Sequence, residues 1–301
     1  MTDIIIVGAG TAGLSAAIYG CRSGKTVQFF DETGYGGQII NTPEIENYPG
    51  IKSISGFEFA TGLYEQAVKL GAVHVYEHVT GIEDLGEKKL VHTEKNTYEA
   101  GAVILATGAK NRKLGLAHED EWVGAGVSYC ATCDGAFYKG KEVAVAGGGN
   151  TALEDAMFLS NYCSKVYLIH RRNEFRGEKG LVERLRERPN VEFVLNVAIE
   201  ALIGKDRVEG VAVRDKDTGE QREIAVSGFF VAVGQVPENE AFANVAALSE
   251  GGYIAAGEDC LTPTPGIFTA GDCRTKAVRQ LTTAAADGAV AALAACAYLD
   301  S

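Results

Sequence analysis

Two cysteines separated by two residues are the side chains of this sequence best suited to redox chemistry. Cys130 and Cys133 lie in the run Cys-Ala-Thr-Cys-Asp-Gly, and Asp134 directly follows the second thiol. Cysteines at this spacing can close a small ring, which is typical of exchangeable rather than structural disulfides. A thiolate on one cysteine can attack a partner's disulfide while the other resolves the mixed disulfide. The pattern therefore predicts thiol–disulfide exchange.

A glycine-rich loop near the start of the chain could bind a dinucleotide. It follows an apolar run at residues 4–7 and precedes an alanine-rich segment, which is the order of a strand, a phosphate-binding turn and a helix. Gly8 would permit the tight turn, Gly10 would let the backbone approach a pyrophosphate, and Gly13 would let helix and strand pack closely. The candidate contacts of this loop are Gly8, Gly10, Thr11, Ala12 and Gly13.

A second loop of the same kind is followed by basic rather than acidic residues. Asp31 and Glu32 end the strand after the first loop, and such an acid accepts hydrogen bonds from ribose hydroxyls but repels a 2′-phosphate. The triplet His-Arg-Arg at 170–172 stands at the same distance from the second loop as Asp31 from the first. Since arginine offers a planar fork of donors to phosphate oxygens, the first loop predicts FAD or NAD and the second predicts NADPH. The candidate contacts of the second loop are Gly147, Gly149, Asn150, Thr151, Ala152, His170, Arg171, Arg172 and Arg176.

Composition and charge argue against several other classes of protein. The formal net charge is −12 and no long basic run is present, so we expect no nucleic-acid partner. No second closely spaced pair of cysteines or histidines accompanies Cys130 and Cys133, so we expect no metal site, and the other five cysteines are expected to be small buried hydrophobes. Residues 2–8 lack the features of a signal peptide, and the apolar segment 284–299 is too short to span a membrane and contains Asp287. We therefore expect a cytoplasmic protein without a membrane partner.

The order of the predicted elements indicates one domain inserted into another. Polar segments at 110–121 and 238–245 are candidate linkers, and two linkers make a hinge sterically possible. The predicted fold class is α/β, with two Rossmann-like, three-layer (ββα) dinucleotide-binding domains. We expect an outer, FAD-binding domain at 1–111 and 245–301. The inner domain, at 112–244, would bind NADPH and carry the paired cysteines.

Motifs along essentially the whole chain resemble those of the low-molecular-weight bacterial thioredoxin reductases. They are Gly-x-Gly-x-x-Gly at 8–13, Gly-Gly-Gln at 36–38, Glu-Asn-Tyr-Pro-Gly at 46–50, the cysteine motif at 130–135, Gly-Gly-Gly-Asn-Thr-Ala at 147–152, His-Arg-Arg at 170–172 with Arg176, and Gly-Asp at 271–272 followed by Arg-Gln at 279–280. The resemblance implies an NADPH-dependent thioredoxin-disulfide reductase that contains FAD, forms a homodimer and passes electrons to thioredoxin. Thr11, Gly177 and Cys273 stand where the family often has proline, alanine and an aliphatic residue, and none of them removes a required group.

The same resemblance implies roles for individual residues. Cys133 would lie nearest the flavin and Cys130 would attack thioredoxin. Asp134 would protonate the thiolate formed when the flavin reduces the disulfide, although a turn residue before Gly135 is the other role open to it. The implied FAD contacts beyond the first loop are Asp31, Glu32, Gly36, Gly37, Gln38, Asn47, Thr107, Gly108, Gly271, Asp272, Arg279, Gln280 and Leu281.

The sequence leaves other activities open. The same site could reduce another small redox partner, such as a glutaredoxin-like protein or a member of the peroxidase branch. A ferredoxin-linked flavin disulfide reductase would not need the basic triplet at 170–172, and a flavin redox sensor would not need paired thiols. Glu154 and Asp155 are candidates for contacts to the nicotinamide or, equally, for favourable charge near a helix N-terminus.

Overall fold

The computed structural model describes all 301 residues, which form two compact units. The first unit comprises Met1–Lys110 and Val236–Ser301, and the second comprises Asn111–Gln235. One unit is therefore inserted into the other along the chain. The first boundary differs by one residue from the expected one, whereas the second lies at 235–236 rather than at 244–245.

Residues 236–244, which lie between the observed and the predicted second boundary, belong to the first unit. Asn239 is fully buried, and its amide donates to the carbonyl oxygen of Cys273 at 2.9 Å. The hydroxyl of Thr107 donates to the Asn239 side-chain oxygen at 2.8 Å. Phe242 is buried in the core of the same unit. The polar composition of this segment predicted a linker, but these buried contacts attach it to the first unit.

The chain forms seventeen strands and six α-helices. The strands are β1 (Thr2–Val7), β2 (Val27–Phe30), β3 (Val73–Val75), β4 (Val79–Asp84), β5 (Lys89–Thr93), β6 (Thr97–Leu105), β7 (Lys110–Asn111), β8 (Val127–Ser128), β9 (Glu142–Gly147), β10 (Lys165–His170), β11 (Val191–Leu195), β12 (Val197–Ile203), β13 (Gly210–Asp215), β14 (Gln221–Ala225), β15 (Gly228–Ala232), β16 (Gln235–Val236) and β17 (Ile267–Thr269). The α-helices are α1 (Thr11–Arg22), α2 (Gly56–Lys69), α3 (Ala131–Asp134), α4 (Asn150–Leu159), α5 (Lys179–Arg186) and α6 (Leu281–Leu299). Short 3-10 helices are formed by Gly37–Asn41, Gly135–Tyr138, Glu240–Phe242 and Gly271–Cys273.

A seven-stranded sheet forms the centre of the first unit. Its order is β3-β2-β1-β6-β5-β4, with β17 also paired to β6. The pairs among β1, β2, β3, β6 and β17 are parallel, and β4, β5 and β6 pair in antiparallel fashion. Because successive residues of a strand point to opposite faces, Ile4 and Ile6 pack in one cluster with Leu14 of α1, and Ile5 and Val7 pack in another.

The second unit has three layers. A parallel sheet of order β11-β10-β9-β15-β8 lies between helices and an antiparallel sheet of order β12-β13-β14. Val143 and Val145 of β9 pack with Leu153 of α4 on one face, whereas Ala144 packs with Val211 of β13 on the other. The predicted α/β class with ββα layering is confirmed.

The last helix differs from its predicted length. The helix α6 has 19 residues, so by length and composition alone it could cross a membrane, and the expectation that this segment is too short was wrong. A core helix of a soluble protein passes the same test. One face of α6 packs closely on α1, where a Cβ on Gly288 would lie 2.2 Å from the carbonyl oxygen of Ala12. Asp287, also on α6, is buried in a group of ion pairs.

Candidate active site and cofactor sites

The paired cysteines form a disulfide in the second unit. Cys130 and Cys133 are both half-buried, and they lie at the start of and within the short helix α3. The amide of Cys133 donates to Sγ of Cys130 at 3.2 Å, and the hydroxyl of Thr132 lies 3.5 Å from the same sulfur. A redox-active disulfide must be reached by its partners, and the partial exposure of both cysteines meets this requirement.

Asp134 is held beside this disulfide by a residue that the sequence analysis missed. The hydroxyl of Ser128 donates to Oδ2 of Asp134 at 2.6 Å and accepts a hydrogen bond from the amide of Cys130 at 3.1 Å. Burial raises the pKa of Asp134, and the hydrogen bond from Ser128 acts in the opposite direction. A raised pKa suits a carboxyl that must carry a proton for transfer. The signal in the sequence was a polar residue at the carboxyl end of a strand, two residues before Cys130.

The first glycine loop has the geometry expected of a pyrophosphate site. Gly8 has a left-handed φ of 109°, and a Cβ there would lie 2.3 Å from the carbonyl oxygen of Ala106. A Cβ on Gly13 would lie 1.9 Å from the carbonyl oxygen of Gly8, whereas a Cβ on Gly10 would meet nothing within 4 Å. Glycine is therefore required for packing at two positions. At Gly10 the space above the backbone is open, so it can admit a ligand.

The acid at the end of β2 lies close to this loop. Oδ2 of Asp31 accepts a hydrogen bond from the amide of Ala9 at 3.2 Å, which fixes the carboxylate next to the turn. Glu32 is exposed and lies 3.3 Å from a ring nitrogen of His78. Of the remaining predicted contacts in this region, Gly36 donates its amide to the carbonyl oxygen of Ala9, Gly37 lies beside Gly10, and Thr11 and Ala12 are buried in the first turn of α1.

The second glycine loop repeats this geometry in the other unit. A Cβ on Gly147 would lie 2.3 Å from the carbonyl oxygen of Ala232, whereas one on Gly149 would meet nothing within 4 Å. Asn150 accepts a hydrogen bond from the amide of Glu178 through its side chain, and Arg176 donates its amide to the carbonyl oxygen of Gly148 at 2.8 Å. The predicted contacts Asn150, Thr151, Arg171, Arg172 and Arg176 are exposed, and Ala152 is buried in α4.

His170 takes a different position from the two arginines that follow it. It is 5% exposed, and its ring packs under the loop, since a Cβ on Gly148 would lie 2.1 Å from it. The ring also stacks on Phe175, and burial lowers the pKa of His170. We therefore revise its expected role from phosphate contact to support of the loop. The alternation of β10 places His170 on the same face as Leu168, which packs with the helices.

Several of the remaining predicted flavin contacts lie near the start of α6. Asp272 is largely buried, its Oδ1 atom has no hydrogen-bond partner, and burial raises its pKa. The side chain of Arg279 donates to the backbone oxygen of Asp272 at 3.3 Å, and Gln280 caps α6 while accepting a hydrogen bond from Asn47 at 3.2 Å. Gln38 donates to the backbone oxygen of Ala109, near Thr107 and Gly108, and Leu281 begins the helix. A buried acceptor without a partner fits the hydroxyl of a ligand.

A model of the pyridine nucleotide-disulphide oxidoreductase family matches residues 2–288. The chain belongs to this family. It is 43% identical over 300 residues to the thioredoxin reductase of Treponema pallidum (strain Nichols), which covers 99% of the chain and 97% of the relative. The crystal structure of thioredoxin reductase from Streptococcus pyogenes MGAS5005 is 40% identical, with a TM-score of 0.96 over 100% of the chain and 98% of that structure. A ferredoxin-flavin thioredoxin reductase from Clostridium acetobutylicum is 32% identical, with a TM-score of 0.54 over 99% and 97%. These similarities confirm the resemblance to thioredoxin reductases that the sequence motifs indicated.

The oxidoreductase also contains a group of buried ion pairs that the sequence analysis did not identify. Asp287 of α6 accepts hydrogen bonds from the guanidinium of Arg274 at 2.8 and 2.9 Å and from Lys276 at 2.8 Å. Its Oδ2 atom also accepts the amide of Gly271 at 2.9 Å. These contacts attach the turn that carries Asp272 to the last helix. A charged residue in an apolar helix was the only signal available in the sequence.

Glu154 and Asp155 are not equivalent in the structure of the oxidoreductase. Glu154 is exposed on α4, whereas Asp155 is largely buried. Burial, followed by the charge of Glu154, raises the pKa of Asp155 to about 7. Asp155 therefore differs from a carboxylate that merely adds favourable charge to the start of a helix.

Proposed function

We propose that the chain is an NADPH-dependent flavoprotein that transfers electrons from NADPH, through FAD and the Cys130–Cys133 disulfide, to oxidised thioredoxin. The observation that carries this proposal is the disulfide itself, which lies beside a carboxyl of raised pKa in a unit that also contains a dinucleotide loop. Similarity to thioredoxin reductases over 99% of the chain supports the choice of electron acceptor.

The first unit fits FAD. The open space above Gly10 would admit the pyrophosphate, and Asp31 would accept hydrogen bonds from the ribose of the adenosine. The unpartnered oxygen of Asp272 would accept a hydroxyl of the flavin side chain, next to Arg279 and Gln280. When bound, the flavin supplies the two-electron chemistry between the nicotinamide and the disulfide.

The second unit fits NADPH. The open space above Gly149 would admit the pyrophosphate, and Arg171, Arg172 and Arg176 would bind the 2′-phosphate. In the first unit Asp31 directly follows the corresponding strand, β2, and it would repel that phosphate. The two units thus carry opposite charges where they would meet the ribose. This contrast supports NADPH at the second loop and FAD at the first.

The residues around the disulfide would perform the exchange reaction. Cys133 would accept electrons, Cys130 would attack the disulfide of thioredoxin, and Asp134 would supply a proton to the thiolate formed. We further infer that the chain forms a homodimer, as the family resemblance implies, and that it is located in the cytoplasm. The packing of α6 on α1 within the first unit supports a soluble protein.

A turnover assay tests the proposed function. Protein, NADPH, thioredoxin and a chromogenic disulfide are mixed, and the release of thiol is followed, with NADH in parallel. Turnover is expected to require thioredoxin, to prefer NADPH and to vanish in a Cys130→Ser variant. A Cys163→Ala variant, which removes a buried thiol of the same unit, is the matched control. Reduction of the flavin by NADPH without thiol release would rule out thioredoxin as acceptor, and reduction only by another electron donor would favour the ferredoxin-linked alternative.

A further inference from the structure

One buried hydroxyl joins the candidate proton donor to the backbone of the disulfide. Ser128 is 2% exposed at the end of β8, and its Oγ atom lies 2.6 Å from Oδ2 of Asp134. The same oxygen lies 3.1 Å from the amide nitrogen of Cys130 and 3.3 Å from the Cys130 carbonyl oxygen. The Ser128 hydroxyl therefore has two possible hydrogen-bond acceptors, the Asp134 carboxylate and the Cys130 carbonyl oxygen.

We propose that Ser128 is a positioning residue for proton transfer, whose hydroxyl holds the Asp134 carboxyl beside the disulfide in both of its protonation states. The inference rests on the proposed function, which supplies the electrons. A hydroxyl can both donate and accept. When Asp134 is ionised, Ser128 donates to it. When Asp134 is protonated, the carboxyl donates to Ser128 and the hydroxyl proton turns to the carbonyl oxygen of Cys130.

The proton balance of the step assigns a distinct part to each group. The S–S bond of Cys130 and Cys133 breaks when the disulfide takes up two electrons, which bound FAD would supply. One sulfur receives the proton of the Asp134 carboxyl and becomes a thiol, and the other remains a thiolate that can attack the next disulfide. The carboxylate left on Asp134 receives the hydrogen bond of Ser128. The hydroxyl proton of Ser128 thus switches its hydrogen bond from the Cys130 carbonyl oxygen to the Asp134 carboxylate, but it stays bonded to Ser128.

Other titratable groups lie near Asp134 and must be distinguished from it in a pH titration. Burial, then the charge of Asp134 and that of Cys163, raises the pKa of Tyr138 to about 12, so this phenol stays neutral. The helix α4, which packs against α3, carries Glu154 and Asp155, and Asp155 has a pKa raised to about 7. An Asp155→Asn variant is therefore included, so that its titration is not mistaken for that of Asp134.

Infrared titration of the oxidised holoenzyme tests the inference without any electron donor or acceptor. The carboxyl band of Asp134 is assigned with an Asp134→Asn variant, and its midpoint is compared in wild type, Ser128→Ala and Ser128→Thr. Loss of a hydrogen bond to the charged form is expected to raise the midpoint by about one pH unit in Ser128→Ala. Ser128→Thr, which retains a hydroxyl, is expected to restore it. The control is Ser160→Ala, since Ser160 is a similarly buried serine of the same unit that donates to the backbone oxygen of Met157.

A kinetic measurement distinguishes positioning from a purely structural role. After rapid mixing with NADPH, electron transfer from flavin to disulfide is followed as a function of pH. The decline of this rate at high pH is expected to move upward by about one unit in Ser128→Ala, with a several-fold lower plateau. An unchanged infrared midpoint, or a rate that falls equally at every pH, would overturn the inference. A shifted midpoint without any reduction of thioredoxin would refute only the proposed acceptor.

Discussion

Replacing Asp287 with asparagine is expected to destabilise the first unit because two cations would lose their buried counter-charge. Arg274 and Lys276 have side chains that are 1% and 3% exposed, and both donate to the Asp287 carboxylate. Glu258, the other carboxylate near Arg274, is 91% exposed and lies 3.3 Å away. An asparagine of the same shape would keep the packing but remove the charge. The change therefore isolates the electrostatic contribution.

The expected loss of stability is large for a single substitution. Breaking a buried ion pair by removing one partner costs about 3–5 kcal/mol, because the remaining charge is left uncompensated. In a chain of this size each kcal/mol lowers Tm by about 2–4 °C. We therefore expect Tm of the first unit to fall by roughly 10 °C. Because Asp287 also accepts the amide of Gly271, weaker retention of FAD is expected as well.

The stability that Asp287 contributes to the folded protein is expected to depend on pH. Burial acts to raise the pKa of Asp287, but hydrogen bonds from Arg274, Lys276 and the Gly271 amide outweigh it and hold the pKa below its usual value. A carboxyl with a lowered folded-state pKa contributes stability above the unfolded pKa, about 4, and this contribution is lost as the pH falls through the folded value. The difference between wild type and Asp287→Asn should thus be full at neutral pH and shrink in acid.

Differential scanning calorimetry of the FAD-loaded and FAD-free proteins measures both effects. Asp300→Asn is the matched control, since Asp300 is an exposed carboxylate at the end of the same helix that pairs with Lys25. Its loss should leave Tm within experimental scatter. A Tm for Asp287→Asn equal to that of the control, at every pH, would show that the buried group does not stabilise the loop of Asp272.

Two further predictions concern the second unit. Gly149→Ala should leave Tm unchanged but weaken NADPH binding at least about tenfold, since its Cβ meets no protein atom within 4 Å but would occupy the phosphate space, whereas Gly147→Ala should destabilise the unit. Equal effects in calorimetry and nucleotide titration would contradict this distinction. Arg171→Ala and Arg172→Ala should each reduce the preference for NADPH over NADH by about tenfold, measured as kcat/KM, and an unchanged preference would place the 2′-phosphate elsewhere.

Local backbone requirements made part of the structure predictable from sequence. Gly8, Gly13 and Gly147 occupy positions where a side chain would overlap a carbonyl oxygen, so the glycine spacing reflects the close backbone packing of both loops. The arginines at 171 and 172 are exposed. His170 was grouped with them because it is basic and stands at the same distance from its loop as Asp31, although the two-residue alternation of β10 turns it inward under Gly148.

Features that depend on tertiary contacts could not be predicted in the same way. Arg274 and Asp287 are brought together by the packing of α6, and no periodic pattern in the sequence indicates such a pair. Ser128 gained its significance only when the fold placed it against Asp134. The second boundary between the units lies at 235–236 rather than at 244–245 because buried hydrogen bonds hold Asn239 in the first unit. The polar composition around Asn239 had indicated a linker.

Anaerobic titration of the oxidised holoenzyme with NADPH tests the proposed electron relay most directly. The flavin and the Cys130–Cys133 disulfide would each take up two electrons, so wild type should consume about two NADPH per chain before reduction is complete. Cys130→Ser should consume about one, and the Cys163→Ala control about two. A wild-type protein that takes up only one NADPH, like Cys130→Ser, would contradict the claim that electrons pass from the flavin to this disulfide.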